Sequence, residues 1–421
     1  MHARDEDFAR TERTRGECGS LWSGAARIAR AAVAGAAALA LAACVTPFAG
    51  GGGGGGAGGP FGAPAGPALP TGETLSEGSV SIALVLPLSG QGQGGAAARD
   101  LRNAATLALR EFRDPDLRVV LYDDRGTADG ARQAVSAAIA EGAELVVGPL
   151  FAASVAAAGE IARPSGTPVI AFSTDASVAQ RGVYLIGFLP QPEVDRVIDY
   201  AARQGRRSIA ALIPQTTYGN VVEAQFRQAA AQRGIRVVQI ERYAAGQPQA
   251  AVARLQPVIT GAAPQADALF MPETPDGLAA LSAALQAAGF DPARVRPLGT
   301  GIWNEPTALA LPALQGGWFA APEQAGFASF AQRYQAAFNE SPIRIASLAY
   351  DAISLAAALN RTQGTQRFAE AVLTNRSGFA GVDGVFRFRA DGLNDRGLAV
   401  LEVRGGTTAT VDPAPRALPD A

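Results

Sequence analysis

Histidine is nearly missing from this sequence. His2 is its only representative in 421 residues, and the two cysteines, Cys18 and Cys44, lie in the same N-terminal stretch. If that stretch is a secretory signal that is removed, the mature body keeps no imidazole and no free thiol. Zinc sites of the His/Cys type, Ser-His-Asp triads, Cys-His dyads and structural disulfides are then unavailable. Carboxylates, Tyr, Ser and Arg remain for chemistry, so an enzyme is disfavoured and no cofactor or metal is expected. Lysine is absent altogether. The 36 basic residues are all arginine, scattered through both halves against 38 acids, for a net charge of -2. No basic patch marks a nucleic-acid partner, and the missing lysine reflects codon composition rather than function. With 48% hydrophobic and 18% charged residues, the composition is globular with room for two domains.

A membrane-spanning run is lacking too. Ala31 to Ala43, thirteen uncharged residues after Arg27 and Arg30, covers roughly 20 Å as a helix, against a hydrocarbon core of about 30 Å. Residues 1–43 read instead as a secretory signal. The ending Leu41-Ala42-Ala43-Cys44 resembles the lipobox of bacterial lipoproteins. That resemblance implies cleavage before Cys44 and lipidation of its thiol, with two joined acyl chains sufficing for a stable anchor. Val45 in place of Asp resembles an outer-membrane address, so the body is expected on the outer membrane, facing the periplasm. Residues 44–79 form a Gly/Pro/Ala tract without periodicity, read as a flexible stalk. Its seven glycines, Gly50 to Gly56, follow no strand and precede no Gly-Lys-Ser/Thr, which argues against a phosphate loop.

The folded body is expected from residue 80 to 404, with a flexible tail at 405–421. Val80 to Ser89 is a nearly unbroken apolar run, the mark of a strand buried on both faces. Similar runs follow at Leu117 to Asp124, Glu144 to Pro149 and Pro168 to Ser173, each separated from the last by a segment of helical period. Leu101, Ala105, Ala108 and Phe112 give the first helix an apolar stripe. A second cycle starts after Val183 to Ile186, with strands at 208–214, 235–240, 267–272 and 296–299. The expected fold class is therefore α/β, with two doubly wound parallel-sheet lobes. Right-handed crossovers bring the C-terminal strand ends to one edge, where ligands of open α/β sheets bind. The loops at that edge are Leu88 to Gly95, Asp123 to Asp129, Leu150 to Ser154 and Ser173 to Ser177.

PLSG after the first strand, VVGPL after the third, PVIAFST after the fourth, the YGN turn, GGWFAAP, FAQRYQAAFNESP and AYDAISLAAAL together resemble the type I periplasmic binding proteins of the leucine-binding group. The resemblance implies two lobes joined by crossing strands, with a ligand cleft between them. Lobe 1 would be 80–189 with 320–380, and lobe 2 would be 190–319 with 381–404. It also implies cleft candidates: Ser89, Phe151, Ser154, Ser173, Thr174, Asp175, Tyr218 and Trp303. Amino-acid binders of this family hold the ligand carboxylate with hydroxyls and backbone N–H groups in the loop after the third strand. Here that loop is Leu150-Phe151-Ala152-Ala153-Ser154, and most of those hydroxyls are missing. Asp175 would repel an anion.

Lipobox, stalk, PLSGQGQGGAAARDLRNAA and VVGPLFAASV resemble the LppC-type lipoproteins, which activate a class A penicillin-binding protein. On that resemblance the partner is a peptidoglycan synthase. The alternative is a receptor delivering a small amino-acid-like ligand to an ABC transporter. Each residue also has a plainer role open to it. Asp123 and Asp124 can cap a helix, and adjacent residues of extended chain point oppositely. Ser173 to Asp175 can cap the next helix, and Glu305 can start one ahead of Pro306. Tyr218 can stack on a ligand or pack on its own lobe, and Trp303 and Trp318 can line the cleft or fill the core.

Overall fold

The structure is a computed structural model that describes residues 71–418, Asp114 excepted. The expected signal at 1–43, Cys44 and the stalk as far as residue 70 lie outside the described residues. The first sheet is built from β1 (Glu73–Ser76), β2 (Val80–Leu86), β3 (Leu117–Asp123), β4 (Leu145–Val147), β5 (Val169–Ala171) and β6 (Val183–Leu185), with α1 (Gln93–Glu111), α2 (Ala128–Ala140) and α3 (Ala152–Ala162) between them. Their spatial order is β1-β3-β2-β4-β5-β6. β2 is central, parallel to β3 on one side and to β4 on the other. Its side chains alternate between two cores, as the two-residue period of a strand requires. Ile82, Leu84 and Leu86 meet Leu101, Ala105 and Ala108 of α1, while Ala83 and Val85 meet Ala134 and Val135 of α2 and Val155 of α3.

The second sheet repeats the cycle through α4 (Pro190–Arg203), β7 (Ser208–Pro214), α5 (Thr217–Gln232), β8 (Arg236–Tyr243), α6 (Gln249–Ile259), β9 (Ala268–Phe270), α7 (Pro275–Ala287), β10 (Arg296–Gly299), α8 (Pro306–Leu309) and β11 (Trp318–Ala321). The chain then returns to the first lobe. There α9 (Gln324–Phe338), α10 (Ala346–Gln363) and α11 (Glu370–Leu373) precede a small sheet of β12 (Phe379–Gly381), β13 (Gly384–Phe388) and β14 (Asn394–Arg396). Finally β15 (Ala399–Arg404) and β16 (Thr407–Asp412) enter the second sheet beside β11, giving the order β16-β15-β11-β10-β9-β7-β8.

Three features depart from the sequence-based reading. β1 lies inside the segment read as stalk and pairs antiparallel with β3. It is a sheet edge whose side chains are exposed or half-buried, so it carries no apolar signal. β16 lies in the segment read as tail: Gly405 and Gly406 have φ of 56° and 82°, and Arg404 pairs with Thr407. A two-residue hairpin loop needs positive φ at both positions, which two glycines supply without strain. Residues 381–397, placed with the second lobe on sequence, contribute Phe386 and Phe388 to the first core beside Phe330 and Tyr334. Phe386→Ala should therefore destabilise the first lobe by about 3–5 kcal/mol, read as a fall in the denaturant midpoint.

Candidate interlobe binding cleft

The chain crosses between lobes at Ile186 to Leu189, at Ala321 to Glu323 and near Gly397. The first crossing is held by the last: Asn394 Nδ2 donates to the carbonyls of Leu185 and Gly187 at 2.8 and 2.9 Å, and Arg396 donates to that of Ile186 at 2.9 Å. Beside these crossings lies a cavity of about 520 Å³ lined from both lobes. The first lobe gives Thr174, Asp175 and Ser177 after β5 and Arg344 ahead of α10; the second gives Glu193, Tyr218 and the Gly301–Glu305 loop. Phe188, Pro190 and Pro322 form its apolar floor at the crossings. A larger groove of about 940 Å³ runs along α4 and the C-terminal segment. Its Arg196 and Arg203 are already paired with Asp412, at 2.9 and 2.5 Å.

Glu193 is the most perturbed acid of the cleft. It is 6% exposed, and its Oε2 accepts the Gly301 N–H at 2.8 Å. Burial pushes its carboxyl up to about 8, against the Gly301 hydrogen bond and the attraction of Arg344 and Arg396. Arg344 pairs with Asp383 and lies over the rings of Phe188 and Phe327, 4.9 and 4.3 Å from their centroids. Asp383 also accepts from Ser347 at 2.6 Å, so the start of α10 is neutralised within the protein. Arg396 is buried between Phe188 and Phe386, at 5.1 and 5.3 Å, and burial lowers its pKa. Asp351, which takes the Val382 N–H at 2.8 Å, is pushed up to about 7, chiefly by burial. Tyr218 and Thr300 share a hydrogen bond of 2.6 Å, and burial raises the Tyr218 phenol above its usual range.

Of the residues singled out from sequence, Thr174, Asp175 and Tyr218 line this cavity. Asp175 also caps the turn after β5, accepting from Ser177 N at 2.9 Å. Ser173 is buried beside it, its hydroxyl taking the Asp175 N–H at 3.1 Å. Ser89 is exposed outside the cavity, donating its N–H to Asp123 at 3.3 Å. Phe151, 41% exposed, lies over Gly94 and Gly126. Ser154 is buried and donates to the Thr127 carbonyl at 3.2 Å, joining α3 to the start of α2. Trp303 corrects the expectation of a cleft aromatic: it is fully buried in the second core, with Nε1 donating to Met271 O at 3.0 Å. Gly299 leaves room for its ring, since a Cβ there would come within 2.1 Å of it. Trp318 is core as well, edge-on to Tyr200 at 4.9 Å. Asp124 is buried, holding the Gly126 N–H at 2.9 Å to turn the loop after β3.

Sequence reasoning missed Glu193 and Arg344. Glu193 had a readable signal, because it stands on the buried stripe of α4 with Val194, Val197 and Ala201, where an acid is out of place. Arg344 had none, its role being set by Asp383, which lies far along the chain. Glu193 also ties stability to pH. Its folded pKa lies above the ordinary 4.5, so its favourable contribution is complete below about pH 4.5 and is lost as pH rises through about 8. Glu193→Gln should accordingly flatten the decline in melting temperature between about pH 5 and about pH 8 and gain on the native protein at the upper end.

Comparison with known proteins places this geometry. A family model described as periplasmic binding protein matches residues 79–408. No protein of curated function matches the sequence. Among solved structures, a putative branched-chain amino acid ABC transporter from Rhodospirillum rubrum superposes with a TM-score of 0.69 at 21% identity, covering 79% of this chain and 100% of that one. The branched-chain amino acid transporter substrate-binding protein of Streptococcus pneumoniae, in complex with isoleucine, gives 0.59 at 19% identity, covering 80% and 100%. A solute-binding protein from R. palustris, in complex with benzoate, gives 0.59 at 18%, covering 82% and 98%. With the family model spanning both lobes and their crossings, the chain belongs to the type I periplasmic binding proteins of the leucine-binding-protein kind.

Proposed function

We propose that this protein is a non-enzymatic, lipid-anchored binding module of the outer membrane that regulates a peptidoglycan synthase of the penicillin-binding class. The observation that carries this reading is the state of the loop after β4. Phe151 covers Gly94 and Gly126, and the Ser154 hydroxyl is spent on the Thr127 carbonyl, so neither lines the cavity. The family resemblance puts the carboxylate grip of an amino-acid receptor in that loop, and here no hydroxyl of the loop is free to make it. The lipobox at Cys44 and the Gly/Pro-rich tract behind it support a tethered body.

A second reading, a solute receptor serving an ABC transporter, is favoured by the cavity itself. Its volume lies within the range of small-molecule sites, and both lobes line it. The solved relatives that hold isoleucine and benzoate illustrate that use of the fold.

One pair of measurements separates the two. The regulator reading expects the full anchored chain to retain a class A penicillin-binding protein in pull-down and to raise its glycan polymerisation rate. It also expects leucine, isoleucine and valine to leave the melting temperature unmoved. A ligand at about 100 times its Kd adds about 2.7 kcal/mol, a shift of several degrees, so such a shift with an amino acid and no synthase retention would establish the receptor instead.

A further inference from the structure

We propose that the interlobe cleft recognises a positively charged group, a primary amine or guanidinium, through Glu193, with Asp175 and Glu305 adding negative charge at its walls. This rests on reading the cavity as a binding site, whichever protein it reports to. The charges that line it are Asp175, Glu193 and Glu305 against Arg344 alone. Arg344 is already committed, paired with Asp383 and held between Phe188 and Phe327. With Arg344 matched by Asp383, Asp175 and Glu305 leave the cavity walls net negative even while Glu193 keeps its proton.

Glu193 uses Oε2 on the Gly301 N–H, which leaves Oε1 without a hydrogen bond from any described residue. Tyr218, on the same wall, presents an aromatic ring beside an acid, the pairing that holds an ammonium best. Phe188, Pro190, Val221, Ile302 and Pro322 offer an apolar surface for the rest of the ligand. A carboxylate guest would meet two further carboxylates and, among the described residues lining the cavity, no free cation.

The environment of Glu193 adds a proton to the reaction. Tyr218 faces it from α5, Arg344 from the segment before α10, Arg396 from β14 and the Gly301 N–H from the loop after β10. Burial outweighs both arginines and the hydrogen bond, so the Glu193 carboxyl keeps its proton up to about pH 8. A cation binds the ionised form. Binding must then expel that proton, and affinity must rise with pH below about 8.

Calorimetric titration of the full chain with leucine amide, leucine and N-acetylleucine tests this, since the three share a side chain and differ in charge as cation, zwitterion and anion. The amide should bind about tenfold or more tighter than leucine, N-acetylleucine should not bind, and buffers of different ionisation enthalpy should reveal close to one proton released per site. Glu193→Gln should lose both the preference and the proton, with its melting curve confirming the fold. Glu305→Gln, at an exposed position, should weaken the amide a few-fold without touching the proton count. Equal binding of leucine or N-acetylleucine overturns the proposal, as does amide binding without proton release. Failure of leucine amide, phenylalanine amide and agmatine alike at about 10 mM overturns it too. A synthase retained in pull-down while no cation binds would remove this proposal and leave the regulator reading standing.

Discussion

Three carbonyls of the first crossing segment, those of Leu185, Ile186 and Gly187, are held by Asn394 and Arg396 of a strand more than two hundred residues later. Most of the cleft depends on that strap. It sets where Phe188 stands, and Phe188 in turn carries the guanidiniums of Arg344 and Arg396 on its ring. It also sets where α4 begins, and so brings Glu193 into the cavity rather than into solvent. Arg396 has two nitrogens, Nε and Nη1, with no hydrogen-bond partner among the described residues. A buried guanidinium in that state is expensive, and the rings of Phe188 and Phe386 with the nearby acids Asp383, Asp351 and Glu193 offset the cost.

Those acids do not all carry charge. Asp383 is paired with Arg344, whereas burial pushes Asp351 to about 7 and Glu193 to about 8. The cluster thus approaches neutrality by keeping protons, which low-dielectric surroundings favour over three adjacent carboxylates. The strands fix the lobes, while the loops at their C-terminal ends carry the chemistry.

How far the sequence revealed this follows from where each signal resides. The strands β2, β3, β7 and β9 were legible because each is an apolar run whose composition alone demands burial on both faces. The edge strands were not. β1 and β16 hold no fully buried residue, only half-buried and exposed ones, so neither carries a continuous apolar run. Trp303 was legible as a large aromatic that could line the cleft or fill the core, and the choice between them depends on Gly299 and on the Met271 carbonyl, both brought beside it by folding. Phe386 and Phe388 alternated with arginines as a half-buried strand should, yet alternation names a face and not the lobe it packs on. Ser154 and Phe151 occupied the right loop for a ligand and turned to other partners, which no local pattern encodes.

The cleft and the strap between lobes are not independent structures. Arg344 and Arg396 both lower the energy of an ionised Glu193, and Arg396 is the donor that holds the Ile186 carbonyl. A change of charge at Glu193 therefore alters the electrostatic load on the residue that fastens the crossing, and a movement of the crossing alters the charge that Glu193 prefers. Such coupling is reciprocal, since the free energy by which occupancy biases the strap equals that by which the strap biases occupancy. The link consists of one acid, two arginines and the phenylalanine between them.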